Sequence, residues 1–276
     1  MRSSTTVVYC AVDDLAPGTG TPVSGFPEFL EDLSEAGLPC IWVTSRNRIH
    51  LDSTLRKLGH SAPFIAEDGS GVYIPEDYFH LKPSRTSRLG RFTCIPVAAP
   101  QPAAAEALEA LAEETEITVV PLGALSPREL TQNTGLPQRE AEALRQRDFD
   151  EYFFFAGASD DDIKRFQKEA AHKQYVVRAR GALWSLAIGA DLRACVRELS
   201  KLYDRAFRAS SYNIAIATPA GAAELFPACT RAVLLTNRPA ALDASIPPAS
   251  MASKIIPLAA PNSWQLVLEE VLSRGH

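Results

Sequence analysis

Val7-Val-Tyr-Cys-Ala-Val-Asp-Asp14 is a short, mostly apolar run that ends on two carboxylates. A run of this length closed by polar residues predicts a strand buried on both faces, as in a parallel sheet. Phe26, Phe29, Leu30 and Leu33 follow at the spacing of one helical face, so Phe26–Ala36 predicts a helix, with Gly37 as its stop. Pro39-Cys-Ile-Trp-Val43 reads as a second strand, a helix runs from about Ile49 to Leu58, and Pro63-Phe-Ile-Ala66 reads as a third strand. Glu67 to Pro75, with glycines at 69 and 71, predicts a hairpin. Strand–helix–strand repetition of this kind predicts an α/β fold with a doubly wound parallel sheet.

The middle of the chain has a different texture. Thr93–Val97, Ile117–Pro121, Tyr152–Phe155, Tyr175–Arg178 and Leu183–Ile188 read as short strands, interleaved with helices at Ala103–Thr115, Pro137–Arg147 and Asp160–Lys173. This pattern suits a small antiparallel α/β cap inserted into the first domain. The opening texture then returns: helix Asp191–Phe207, strand Asn213–Ala217, helix Ala220–Phe226, strand Ala232–Leu235 and helix Trp264–Arg274. The expected division is a core of residues 1–83 and 189–276 with a cap of residues 84–188. Pro247-Pro248 reads as a loop within the core.

With 276 residues, 46% of them hydrophobic and 22% charged, the chain has ample length for real cores and no signature of long disorder. A net charge of −5 points away from nucleic acid and from anionic membrane surfaces. The basic cluster from Lys82 to Arg91 reads as a solvated linker. No apolar run approaches the ~20 residues of a membrane span, and the N-terminal run is too short for a signal peptide. The five cysteines are far apart without CxxC pairing, which predicts free thiols and a reduced, cytoplasmic protein. His50, His60, His80 and His172 have no His or Cys at ligand spacing and read as surface residues.

Several stretches carry a resemblance. The strand leading to Asp13, the segment Ile41-Trp-Val-Thr-Ser-Arg46, the run from Phe64 through Gly69 to Phe79, the stretch Thr134–Glu151 and Pro261-Asn-Ser-Trp264 occur in order at suitable intervals. Together they resemble the mannosyl-3-phosphoglycerate phosphatase branch of the haloacid dehalogenase superfamily. The resemblance implies a Rossmann-like core with an inserted cap and magnesium-dependent hydrolysis of a phosphate monoester. An aspartate attacks phosphorus, an aspartate two residues on acts as acid and base, a Ser/Thr and a Lys grip the phosphoryl oxygens, and further carboxylates hold the metal.

Carried over one by one, most of these roles fall on residues that cannot perform them. The first motif puts the nucleophile at Ala11 and the acid/base at Asp13; a slide of two residues makes Asp13 the nucleophile and leaves Leu15 as acid/base. Thr44 keeps the phosphate-binding hydroxyl. The lysine falls on Leu192, the fourth-motif carboxylates on Thr218 and Ala222, and the sugar-acid-binding arginine of Gly181-Ala-Leu183 is missing. Each lost group is typically worth ~10²–10⁴ in rate.

The expectation is therefore a catalytically inactive phosphatase-like protein, a pseudoenzyme with no cofactor. It would act by binding a partner protein or a small phosphorylated or sugar ligand, with no nucleic acid or membrane involved. Candidate ligand residues are Asp13, Asp14, Thr44, Ser45, Arg46, Arg147 and Glu151. Asp13-Asp14 read more readily as caps of the strand end and the following loop than as a residual metal site, and Glu67-Asp68 can bind ligand at the mouth of the sheet or equally serve the turn. The alternative is an active magnesium-dependent sugar-phosphate phosphatase using Asp13, with Asp13 on the metal.

Overall fold

The structure, a computed structural model, describes residues 4–17, 21–80, 83–238 and 249–273. Lys82, the Pro247-Pro248 loop and the last residue expected in the C-terminal helix lie outside the described residues.

One sheet has nine strands. It is built from β1 (Ser4–Ala11), β2 (Cys40–Val43), β3 (Phe64–Ala66), β4 (Gly71–Pro75), β5 (Ser87–Leu89), β6 (Phe92–Pro96), and, after the inserted unit, its three last strands. The inserted unit carries β7 (Val119–Pro121), β8 (Glu151–Phe155), β9 (Tyr175–Arg180) and β10 (Leu183–Ile188) as a separate antiparallel sheet in the order β7-β8-β10-β9. The chain then returns for β11 (Ser210–Ala217), β12 (Arg231–Leu235) and β13 (Lys254–Ile256). The order of the large sheet is β13-β12-β11-β1-β2-β3-β4-β6-β5, parallel from β13 to β3 and antiparallel beyond.

The first strand shows why this sheet forms. Val8, Cys10 and Val12 pack into one apolar layer, while Val7 and Tyr9 pack into the other, so both faces are buried. Helices α1 (Phe26–Glu35) and α2 (Arg48–Lys57) cover the first layer through Phe26, Phe29, Leu33, Leu51 and Leu55. The inserted unit adds α3 (Gln101–Thr115), α4 (Pro127–Thr134), α5 (Gln138–Leu144) and α6 (Asp160–His172) around its own core of Leu108, Leu111, Phe153, Phe166 and Leu186. The other face of the large sheet is covered by α7 (Leu192–Phe207) and α8 (Pro219–Leu225), and α9 (Ser263–Leu272) joins α1 on the first. No helix among the described residues is long and apolar enough to cross a membrane.

The insertion begins later than the sequence suggests. β5 and β6 extend the large sheet beyond β4, with Phe92 and Cys94 buried in its first apolar layer and Ile95 in its second. The boundary expected at residue 84 thus moves past Pro96. The change of texture there marks an edge hairpin, not a new domain: β4 exposes an antiparallel edge that this hairpin pairs. His60 also departs from its expected surface role. It is half-buried, stacked on Trp42 with ring centroids 4.9 Å apart, and its Nε2 sits 3.0 Å from the Cys40 carbonyl oxygen.

Candidate functional site

Strand order reverses around β1, which lies between β2 and β11. In an open α/β sheet the carboxyl ends of strands at such a switch point form a crevice. Ala11 ends β1 and pairs with Val43, Thr44 follows β2, and Thr218 follows β11, so these three sequence-predicted positions meet there. The inserted sheet closes over them, leaving a cleft of about 640 Å³. Tyr152, Arg180 and Leu183 face it from the cap, and Asp13, Asp68 and Leu192 face it from the core.

Asp13 lies in the turn beyond β1, with its side chain 40% exposed. The Ser45 backbone N–H and hydroxyl donate to its Oδ2 at 2.8 and 2.7 Å. The Thr44 hydroxyl donates to Oδ1, and Arg46 Nε approaches the same oxygen at 3.3 Å. Arg46 is mostly buried, and burial lowers its pKa against the opposing pull of Asp13. Its two terminal nitrogens are buried without a hydrogen-bond partner among the described residues. Asp14, also exposed, accepts from the Thr218 hydroxyl.

Gly221, in the first turn of α8, stands against the end of β1. A Cβ built on it would lie 2.6 Å from Ala11 Cβ. The small-residue run from Ala217 to Ala223 is what lets α8 close so tightly on the strand end. Leu192 begins α7 and is nearly fully buried, so the position matched to the phosphate-gripping lysine carries an apolar side chain packed between sheet and helix.

Arg147 and Glu151, expected to bind ligand, do not reach the cleft. The Arg147 guanidinium is 1% exposed and paired with Asp150, with Nη2 donating to Asp150 Oδ2 at 2.9 Å and to the Ser45 carbonyl at 2.8 Å. Glu67 lies beside it and accepts the backbone N–H groups of Asp148, Phe149 and Asp150. Surrounding charges hold the Arg147 pKa up, whereas burial pushes the Asp150 carboxyl up despite the arginine. Glu151 accepts from Gln101 within the cap, and burial raises its pKa. The Thr134–Glu151 stretch therefore fastens cap to core, because the Ser45 carbonyl and the Glu67 carboxylate of the core supply further partners to Arg147 and to the backbone N–H groups of Asp148 to Asp150.

Sequence reasoning missed the second fastening. Arg180 Nε donates to Asp68 at 3.0 Å, and Arg178 makes a two-pronged contact with Glu224 at 2.6 and 2.8 Å. Arg178 and Arg180 alternate along β9, so both point to the same side of the strand. That alternation was the available signal. Glu67 and Asp68 are consecutive, both left-handed (φ 51° and 57°), and each holds a different part of the cap.

The nine-stranded sheet, the cap inserted after the edge hairpin and a cleft over the carboxyl end of β1 are the architecture that the resemblance implies. The chain has the haloacid dehalogenase fold. It aligns over 96% of its length with a haloacid dehalogenase-like hydrolase from B. subtilis, covering 98% of that chain at 14% identity and a TM-score of 0.61. Its sequence is similar to the mannosyl-3-phosphoglycerate phosphatase branch. A glucosyl-3-phosphoglycerate/mannosyl-3-phosphoglycerate phosphatase of Methanococcoides burtonii is 26% identical over 179 residues, 64% of this chain and 65% of the relative's length. A mannosyl-3-phosphoglycerate phosphatase of Pyrococcus furiosus is 23% identical over 210 residues, covering 75% of this chain and 82% of the relative. No protein-family profile matches the chain.

The magnesium implied by the haloacid dehalogenase phosphatases needs several hard oxygen ligands around one point. Among the described residues no group of three or more His, Cys, Asp or Glu side chains is placed to share an ion. Asp13 has both oxygens committed and an arginine against one of them, Asp14 is bonded to Thr218, and Ala222 is buried. In this arrangement the side chains do not fit a shared magnesium ion.

Proposed function

We propose that this phosphatase-like protein binds a small sugar-phosphate-type ligand in the cleft between core and cap, without the aspartyl-phosphate chemistry of the family. The observation that carries the proposal is Ala11. It ends β1 beside Val43 and Thr44, in keeping with the register that gives it the nucleophile's place, and it has no group that could attack phosphorus. Leu192, Thr218 and Ala222 support the same reading, since none supplies the charge that an anionic transition state requires. Hydroxyls from Thr44 and Ser45, arginines at 46 and 180, and the Tyr152 ring give the cleft polar donors beside an apolar wall, the composition of a ligand pocket. The cysteines, free in the structure, agree with a reducing compartment, and the proposal places the protein in the cytoplasm.

A second reading is favoured by the comparisons: the curated relatives are named phosphatases, which speaks more directly for a magnesium-dependent sugar-phosphate phosphatase using Asp13 than for a protein that only binds. It requires Asp13 to leave Thr44, Ser45 and Arg46.

The two readings part in one assay. Purified protein is offered a panel of sugar phosphates that includes mannosyl-3-phosphoglycerate, with Mg²⁺ and with EDTA, and both bound ligand and released phosphate are measured. Binding without turnover supports the first reading. Metal-dependent turnover that Asp13→Asn abolishes establishes the second, and absence of both returns the function to a protein partner.

A further inference from the structure

Thr44, Ser45 and Arg46 form a small oxyanion cradle. The Ser45 backbone N–H and hydroxyl, the Thr44 hydroxyl and Arg46 Nε all converge within hydrogen-bond reach of one carboxylate, that of Asp13. Four donors on two oxygens, one of them a guanidinium, is the pattern of a built anion site, and charge-assisted hydrogen bonds are the strong ones. The two terminal Arg46 nitrogens, buried without a partner among the described residues, add unspent donor capacity beside it. The anion in the cradle belongs to the chain itself. It arrives from a half-exposed turn 31 to 33 residues away in sequence, not from the strand that builds the cradle.

We infer that Asp13 is an internal stand-in for an external oxyanion: it closes the cradle, and a phosphate group must displace it to enter. The inference deepens the proposed function and rests on its reading of the cleft as a site for phosphorylated ligands. It has a distinctive sign. A carboxylate that binds phosphate through a metal strengthens phosphate binding, whereas a carboxylate that occupies the phosphate's place weakens it. Simple loss of negative charge would also favour an anion, so Asp14 is the control. It lies next in sequence and lines the same cleft, yet bonds to Thr218 instead of the cradle.

The test is calorimetric titration of inorganic phosphate into wild type, Asp13→Ala, Asp13→Ser and Asp14→Ala, in EDTA and again in Mg²⁺, with thermal unfolding as the check on folding. In EDTA, Asp13→Ala and Asp13→Ser are expected to bind phosphate at least about tenfold more tightly than wild type, a change of about 1.4 kcal/mol. Asp14→Ala should gain much less. Adding Thr44→Val to Asp13→Ala should remove the gain. The half-exposed position of Asp13 makes both replacements compatible with folding, and the second keeps the test alive if one variant misfolds. Equal affinity in wild type and the Asp13 variants overturns the inference and leaves the proposed function standing. An equal gain in Asp14→Ala overturns it as well, by reducing it to net charge. Phosphate affinity that appears only with Mg²⁺ and is lost in Asp13→Ala overturns it in favour of the phosphatase reading, and no phosphate binding by any variant overturns both the inference and the phosphorylated-ligand reading.

Discussion

Gly221 is packed against Ala11 so closely that a Cβ at 221 would lie 2.6 Å from the Ala11 Cβ. The first turn of α8 thus rests on the end of β1, where the phosphatase resemblance sets a nucleophile. Gly221→Ala normally gains about 1 kcal/mol of helix propensity. Here overpacking against a rigid methyl outweighs it, and a net loss of about 1–2 kcal/mol is expected. Ala11→Gly in the same chain should recover most of the loss. A double-mutant cycle by chemical denaturation measures this, and additive costs would show that the two residues do not touch.

Arg147 holds the junction of cap and core. Replacing it by Met keeps much of the side-chain volume but leaves Asp150 and Glu67 buried without their cation. Breaking a buried pair on one side costs about 3–5 kcal/mol, so Arg147→Met should lower the melting temperature strongly. Arg147→Met with Asp150→Leu should be less damaged than the single variant. A single variant as stable as wild type would remove Arg147 from this role.

The cleft-side pairs should behave differently. Glu224 is 45% exposed, so Arg178→Ala is expected to cost less than about 1 kcal/mol of global stability. Its effect should be local, with faster amide hydrogen exchange in β9 and little change in the melting temperature. Exchange in β9 that matches wild type would show that the Arg178–Glu224 pair does not restrain the cap.

His60 supplies a pH dependence. Burial lowers its pKa to about 4, against an ordinary value near 6.5. The neutral ring is therefore favoured in the folded state. Its contribution is complete above pH ~6.5 and is lost as pH falls towards about 4, because the unfolded chain takes up the proton first. The effect is on the order of 2 kcal/mol for a half-buried ring. His60→Gln should flatten the fall in stability between those two pH values; an unchanged profile would place the titration elsewhere.

Much of the fold was legible in order along the chain. β1, α1, β2 and β3 follow from apolar runs and helical spacing, because burial on both faces leaves a local trace. β5 left little: Ser87–Leu89 is short, with Ser87 and Arg88 exposed and only Leu89 packed against the core, and it pairs with β6 alone. The candidate site was half legible. Asp13, Thr44, Ser45 and Arg46 were singled out and are joined in one cluster. Arg147 and Glu151 were singled out for ligand; Arg147 instead faces the buried Asp150, and Glu151 faces the half-buried Gln101. Asp68 was weighed for ligand against a turn role, but its pairing with Arg180 was not foreseen, since 112 residues separate them and Arg180 is not unusual alone.

By itself the sequence determined which chemical groups are present at each position of the cleft: a methyl at Ala11, a hydroxyl at Thr44 and at Thr218, an isobutyl group at Leu192. It also determined the alternation of strand and helix, because burial and backbone preference are written over a few neighbouring residues. Only the tertiary structure decided what each charge faces. Asp13 meets the cradle of Thr44 to Arg46, Arg147 meets Asp150 and Glu67, and Asp68 meets Arg180. A carboxylate's role depends on the donors within about 3 Å of it, and folding brings those donors from distant parts of the chain.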